Sequence, residues 1–205
     1  MRPAPLRSGF FYRGQFEAVA QALPVDLTLV VRVAYLYGWR IDSEVLTLTR
    51  QQVDLDAGTL RLEPGLTKNR DGRLVYLTPE LKVAFAEQLA RVTGLERELS
   101  RVIPYVFPTP YGPHKGQRRK DFVKAWQRAC RQSGCPGRLK HDLRRTAARN
   151  MVHLGVSERV VMTVMGHKTR SMLDRYHIVS PSDLQDVARR LSSPPKQAQF
   201  GHSET

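Results

Sequence analysis

The sequence predicts a helix-dominated α+β fold built around one small antiparallel three-stranded sheet. Three observations lead there. Most of the chain repeats apolar residues at three- and four-residue spacing, the pattern of helices with one buried face. Between two such regions, "VDLDAGTLRLEP" and "GRLVYLTP" supply short strand-like runs, broken by Asp56-Ala57-Gly58 and by "KNRDG", which carry the chemistry of tight turns. With 205 residues and 41% hydrophobic content, the chain can bury the core of one ordinary domain.

Taken in order, residues 1–9, with Pro3, Pro5 and Gly9, read as a linker, and residues 10–191 as the domain. "RGQFEAVAQAL" sets Phe16, Val19, Ala20 and Leu23 at helical spacing, and Pro24 stops that run. "LTLVVRVAYLYGW" is a mostly apolar helix ending near Gly38, and "SEVLTLT" opens another, with Ser43 as its N-cap. After the sheet, "PELKVAFAEQLARV" is helical. "RVIPYVFPTPYGPHKGQRR" reads as a strand followed by an exposed basic loop. "RKDFVKAWQRACRQSG" is an amphipathic helix ended by Gly134. The next helix, "HDLRRTAARNMVHLG", closes at Gly155, with Leu143, Ala147 and Met151 spaced to pack inward. "SERVVMTVMGH" starts at Ser157. In "SPSDLQDVARRL", Ser180 caps a last helix and Pro181 takes its first position. Residues 192–205 lack an apolar pattern and read as a disordered tail.

Lys and Arg number 33 against 19 Asp and Glu, a formal charge of +14. Such an excess points to a polyanionic partner, nucleic acid foremost, bound with release of counterions. No stretch approaches the roughly 20 apolar residues of a membrane span, and "MRPAPLRSGFF" lacks a signal peptide's apolar run. Cys130 and Cys135 form neither a zinc set nor a disulfide framework. The expectation is a reduced, cytoplasmic protein that uses no metal and no cofactor.

In "HDLRRTAARNMV", His141 and Arg144 stand three apart and share one helix face; Arg145 and Arg149 share another. An arginine fork matches two phosphate oxygens, and a histidine beside it can donate a hydrogen bond or move a proton. Upstream, "YGWRIDSEVL" carries Arg40 and Glu44, and "LTKNRDG" carries Lys68. Downstream, His167 follows Gly166, nine residues before Tyr176. The order is Arg, Lys, His-x-x-Arg, His, Tyr. By this ordered set, the chain from about Phe10 to Leu191 resembles the catalytic domain of the tyrosine recombinases, the phage-type integrases.

The resemblance implies that Arg40 and Arg144 clamp the scissile phosphate and that Lys68 protonates the leaving 5′ oxygen. It implies that His141 exchanges a proton with the tyrosine, that His167 hydrogen-bonds the phosphate, and that Tyr176 attacks to form a 3′-phosphotyrosyl link. Many members place an acidic residue three positions after the first arginine. Ser43 stands there, between Asp42 and Glu44, and Glu44 is chosen as the carboxylate that braces the basic groups. Arg70 and Arg73 compete with Lys68 by proximity. Lys115, Arg118, Arg119 and Lys120, beside His114, and also Arg145, read as contacts to the DNA backbone.

The partner implied is double-stranded DNA with paired recombination half-sites, bound by a homo-tetramer assembled from monomers, in integration or excision of a mobile element. The family's N-terminal helical domain has no counterpart before Phe10, so the chain reads as the C-terminal part of a longer protein. The stripe Leu184, Val187, Ala188 and Leu191 docks either on its own domain or on a neighbouring protomer. Two rival readings are a type IB topoisomerase-like enzyme and a non-catalytic DNA-binding module.

The physical logic stands beside the resemblance. A phosphodiester transition state gains charge on its equatorial oxygens, so preorganised cations are suitable catalysts. A tyrosine hydroxyl, with a pKa near ~10, needs positive surroundings and a proton acceptor to attack at neutral pH.

Overall fold

An apolar helix forms the axis around which the other elements pack. This is α2 (Val25–Tyr37), whose Leu27, Leu29, Val30, Val31, Val33 and Ala34 are all buried. It contacts α1 (Arg13–Gln21), α3 (Pro79–Leu99) and α5 (Lys140–His153). The computed structural model describes residues 9–65 and 72–174, together with Gln185, Ala188 and Ser192. The sequence readings for Lys68, Arg70, Tyr176 and the "KNRD" part of its turn lie outside the described residues. So do the capping roles of Ser180 and Pro181 and nearly all of the expected tail.

Pro24 ends α1's neighbourhood and also serves as the N-cap of α2, where its fixed φ suits a helix start and its missing N–H is no loss. The hydroxyl of Thr28 donates to the Ala20 carbonyl (2.7 Å) and so stitches the corner between the two helices. Gly38 then ends α2 in the left-handed conformation (φ +68°). A Cβ at this position would lie 2.6 Å from Met165 Cε and 3.3 Å from Ala147 Cβ, so only glycine fits both the backbone and the space.

The helix expected to start at Ser43 is instead a single π-helical turn, Ile41–Val45, with Arg40 at its N-cap. The N–H groups of Glu44 and Val45 both reach the Arg40 carbonyl, at 2.9 and 3.0 Å. Ser43 sits exposed inside the turn. The capping role belongs to Glu44, whose carboxylate accepts from the Arg40 backbone N–H at 2.6 Å. A charged acceptor makes the stronger bond and displaces the hydroxyl.

The three strands form as expected. Strands β1 (Val53–Asp54), β2 (Thr59–Leu62) and β3 (Arg73–Tyr76) pair antiparallel in the order β1-β2-β3, with Leu60 opposite Val75 and Leu62 opposite Arg73. Asp54 Oδ1 accepts from the Ala57 N–H (2.8 Å) and Gly58 adopts φ +64°, which sets the first turn. Alternation turns Leu60, Leu62 and Val75 inward and, at the head of β3, Arg73 as well. At its other end β3 is tied to α2, because the Tyr37 hydroxyl donates to the Tyr76 carbonyl (2.7 Å).

Helix α3 starts at Thr78, whose hydroxyl caps the Leu81 N–H, with Pro79 at its first position. The strand expected within "RVIPYVFPTP" does not form. That segment makes only single bridges, Thr49 to Tyr105 and Pro108 to Arg118, because Pro104, Pro108 and Pro110 have no N–H to offer a ladder. Helix α4 (Val123–Gln132) buries Trp126, Ala129 and Cys130, and Gly134 follows it in the left-handed region. Then come α5, α6 (Glu158–Met165) and α7 (Arg170–Asp174).

Leu143 and Ala147 are fully buried in α5, whereas Met151 packs on a smaller second core of Ala148, Val161, Met165 and Leu173. Residues 10–12 strap across α5. Phe11 is buried edge-on to Trp126 (centroids 5.9 Å), and Phe10 and Tyr12 both lie beside the Arg149 guanidinium, at 4.8 and 5.5 Å. Arg149 is thereby a packing residue of the strap.

Candidate active site

The carbonyls at the end of α6 organise the site. Gly166 turns left-handed there (φ +69°), and the last carbonyls of a helix need donors from elsewhere. Three arrive from distant parts of the chain. The Trp39 indole N–H donates to the Val164 carbonyl (2.9 Å), and Arg144 Nη2 and Arg73 Nη1 both donate to the Met165 carbonyl (2.9 Å each). Guanidinium groups suit this place twice over, as fork-shaped donors and as cations at the negative end of a helix. These bonds fasten the smaller core to the body of the domain.

Arg144 also donates through Nη1 to the Gly38 carbonyl (2.5 Å) and is only 2% exposed. Spacing alone placed it on a ligand-facing surface beside His141. The structure corrects that expectation: His141 is exposed and Arg144 is buried. Its charge is sustained inside the protein by carbonyls from α2 and α6.

Arg40, Glu44 and Arg73 form a second knot. Glu44 is 1% exposed. Its Oε1 accepts from Arg40 Nη1 (2.6 Å) and from Arg73 Nη2 (2.5 Å). Burial alone would push its carboxyl up, but Arg73, the Arg40 N–H and the Arg40 charge outweigh burial and hold it below the usual carboxylate range. Asp42 instead pairs with Lys140 (2.5 Å) across to the start of α5. Arg73 lies over the Trp39 ring (5.5 Å) and packs so closely on Gly166 that a Cβ there would lie 2.8 Å from its Nε.

Both histidines feel the same cations. Burial, then Arg144, Arg40 and Arg73, lower the His167 pKa from 6.5 to about 4, with Glu44 opposing. His141 keeps an exposed edge, yet the protein packed around it removes part of its water, and this, then Arg144 and Arg145, lowers its pKa, with Asp142 opposing and Arg40 adding to the shift. Arg40, Arg144, His141 and His167, drawn from three parts of the chain, thus share one electrostatic neighbourhood. Both imidazoles are kept neutral near pH 7, and a neutral imidazole can donate from one nitrogen and accept at the other.

Arg73 is the residue that spacing undervalued. In the sequence it stands only as a rival to Lys68, yet both ends of its guanidinium are engaged internally. One signal for it was present: an arginine at an inward position of an alternating strand needs a buried acceptor.

The expected DNA contacts divide. Arg118 and Lys120 are exposed. Arg119 pairs with Asp26 (2.5 Å) at 12% side-chain exposure, and Lys115 pairs with Glu98. Arg145 lies 3.7 Å from Asp142. Residues 101–205 hold 20 of the 33 basic residues but only 7 of the 19 acidic ones, so the positive excess lies almost wholly in that half. A cavity of about 460 Å³ lined by Gly9, Cys135, Arg138 and Asp142 lies beside the start of α5, and neither Arg40, Arg144 nor His167 lines it. Among the described residues no group of His, Cys, Asp and Glu could hold a metal ion, and no helix is long and apolar enough to cross a membrane. Cys130 and Cys135 are free and buried; burial and the neighbouring Cys135 push the Cys130 thiol up to about 11.

The model of the phage integrase family matches residues 15–182. The chain belongs to the phage integrase family. All the site residues named from the sequence, Arg40 through Tyr176, fall within the matched span of this integrase-family chain. It is 32% identical over 130 residues to an integrase of Saccharopolyspora erythraea, covering 62% of this chain and 29% of that protein. It is 27% identical over 170 residues to the tyrosine recombinase XerD of Bradyrhizobium diazoefficiens, covering 80% of this chain and 52% of that one. The chain therefore spans about half or less of the length of these relatives. Among solved structures, XerA recombinase superposes with a TM-score of 0.73 at 18% identity, covering 94% of this chain and 66% of that one. The catalytic domain of bacteriophage HP1 integrase gives 0.58 at 24% identity, covering 92% of this chain and 99% of that one. The fold is that of a tyrosine recombinase catalytic domain.

Proposed function

We propose that this domain cleaves and rejoins DNA strands through a 3′-phosphotyrosyl intermediate formed by Tyr176, as the catalytic part of a site-specific recombinase. The observation that carries the reading is that His141 and His167 both lie in the field of Arg40 and Arg144, with Glu44 bound to Arg40, within an integrase-family fold. Arg40 and Arg144 supply charge to the non-bridging phosphate oxygens, where the transition state needs it. His167, held neutral, donates a hydrogen bond to the same phosphate. His141 takes the phenol proton as Tyr176 attacks phosphorus, and Lys68 gives a proton to the departing 5′ oxygen. The strand end stays bonded to the enzyme, and attack by a second 5′ hydroxyl reverses the steps. The mechanism assigns no step to a metal or cofactor.

The substrate is duplex DNA with paired half-sites, bound by a tetramer in the cytoplasm. Arg118, Lys120 and the excess positive charge of residues 101–205 support the DNA partner. The solved relatives include a transposon integrase in complex with a circular intermediate DNA, which supports integration or excision of a mobile element.

The test is covalent capture. Labelled duplexes tiled across the DNA flanking the gene, each nicked near the candidate cleavage point, are incubated with the protein in chelator and run on a denaturing gel. A protein-linked label that is lost in Tyr176→Phe is the expected result. Salt-sensitive binding without any adduct overturns the reading in favour of a binding module.

A further inference from the structure

Arg73 shares an acceptor with each of the two clamping arginines. With Arg40 it shares Glu44 Oε1, at 2.5 and 2.6 Å, and with Arg144 it shares the Met165 carbonyl, at 2.9 Å from both. Its side chain is 4% exposed. The Trp39 ring lies on one part of its surface and Gly166 is pressed against another. Both ends of this guanidinium are bonded inside the protein.

We propose that Arg73 is a positioning residue of the integrase reaction, fixing Arg40 and Arg144 in one mutual arrangement through the two acceptors it shares with them. This rests on the functional reading above. Two consequences follow from the geometry. Glu44 carries one negative charge and meets two guanidinium groups, so Arg40 retains net positive character for a phosphate. Without Arg73, the carboxylate would turn wholly to Arg40 and offset its charge. The Met165 carbonyl also fixes where the chain leaves α6, and His167 follows two residues later. Losing one of its two guanidinium donors loosens Arg144 and His167 together. Arg73 cannot itself be the proton donor, since a guanidinium does not give up its proton in proteins.

The test uses the whole chain with Arg73→Gln and Arg73→Lys. Folding is checked by circular dichroism, affinity on a nicked duplex by titration, and chemistry by the rate of covalent adduct formation from pH 4 to 8. Arg73→Gln should bind DNA as the parent does and form adduct about 100-fold more slowly, the scale of a misplaced catalytic group. The acid limb of its pH profile should move upward. The groups facing His167 are Arg144 from α5, Arg40 and Glu44 from the π-helical turn, and Arg73 from β3, and the variant removes one of the three cations. Arg73→Lys keeps the charge but cannot span both acceptors, and should recover part of the rate.

If Arg73→Gln does not fold, Arg73→Lys decides: a slowed rate supports the proposal and a parental rate overturns it. An adduct rate and pH profile unchanged in folded Arg73→Gln, with only lowered thermal stability, reduce Arg73 to packing and overturn it also. If the parent forms no adduct, the functional reading fails instead. The histidine resonances of the chain alone then judge Arg73, through an upward-shifted His167 titration in Arg73→Gln or an unshifted one.

Discussion

The backbone N–H of Phe11 donates to Thr146 Oγ1, 2.9 Å away across 135 residues of sequence, while the same hydroxyl donates to the Asp142 carbonyl at 2.8 Å. The N-terminal strap is thus pinned to the helix that carries His141 and Arg144. Thr146→Val keeps the shape and leaves the Phe11 N–H buried without its acceptor. The expected loss is about 1–3 kcal/mol in urea unfolding, with Thr146→Ser close to the parent.

Gly38→Ala should be destabilising out of proportion to one methyl group. Its φ of +68° strains any other residue, and the new Cβ would meet Met165 Cε at 2.6 Å. More than about 1 kcal/mol is expected, measured as a fall in the urea midpoint with unchanged slope. Because Met165 moves, the titration of His167 should shift in the same variant.

His167 makes stability depend on pH in a defined window. Its pKa is about 4 in the fold against 6.5 ordinarily, so the unfolded chain binds the extra proton first. The contribution is complete above the unfolded value and is lost as pH falls through the folded one. At most about 3 kcal/mol is at stake. His167→Gln should flatten the stability curve between pH 6.5 and 4, and an equally steep curve would contradict the assignment.

Glu44→Gln removes the one negative charge between two arginines. Breaking a buried ion pair typically costs about 3 kcal/mol or more, so the melting temperature should drop. The cluster becomes more cationic at the same time. Binding of inorganic sulfate or of short duplexes should therefore strengthen in the folded variant, which calorimetry at low salt would detect.

Arg118 and Lys120 should behave differently from Arg119. Replacing either of the exposed pair by alanine is expected to lower the slope of log affinity against log salt by about one and to leave unfolding unchanged. Arg119→Ala breaks its ion pair with Asp26 and should lower stability by about 1–3 kcal/mol with little change in salt slope.

The helices were legible because burying one face imposes a period that survives in the sequence, as in Phe16, Val19, Ala20 and Leu23. The sheet was legible because Asp56, Ala57 and Gly58 mark its first turn; the Asp54 carboxylate that closes it shows only in the structure. Two local readings failed for physical reasons. Ser43 lost its capping role to a carboxylate one residue on, and the 101–110 segment has too many prolines to extend its single bridges into a strand ladder. At the site, the ordered set of residues and the resemblance named Arg40, Glu44, His141, Arg144 and His167, but a sequence says nothing about how deep each one lies. Arg144 looked like a surface residue because its acceptors, Gly38 and Met165, lie 106 and 21 residues away. Arg73 was undervalued for the same reason: its importance lies in Glu44, Met165 and Gly166, none of them near it in sequence.

The Met165 carbonyl, unlike the side chains it receives, belongs to the main chain. The oxygen itself does not depend on the side chain at position 165, although Met165 is fully buried and a substitution there acts on the oxygen through packing. The anchor does not tolerate a change of length. Removing one residue from α6 would rotate every later carbonyl by about 100° and withdraw it by about 1.5 Å, taking the oxygen from Arg73 and Arg144 at once. Drift in this stretch is therefore expected to change letters freely on its solvent face while keeping the number of residues between Ser157 and His167 constant.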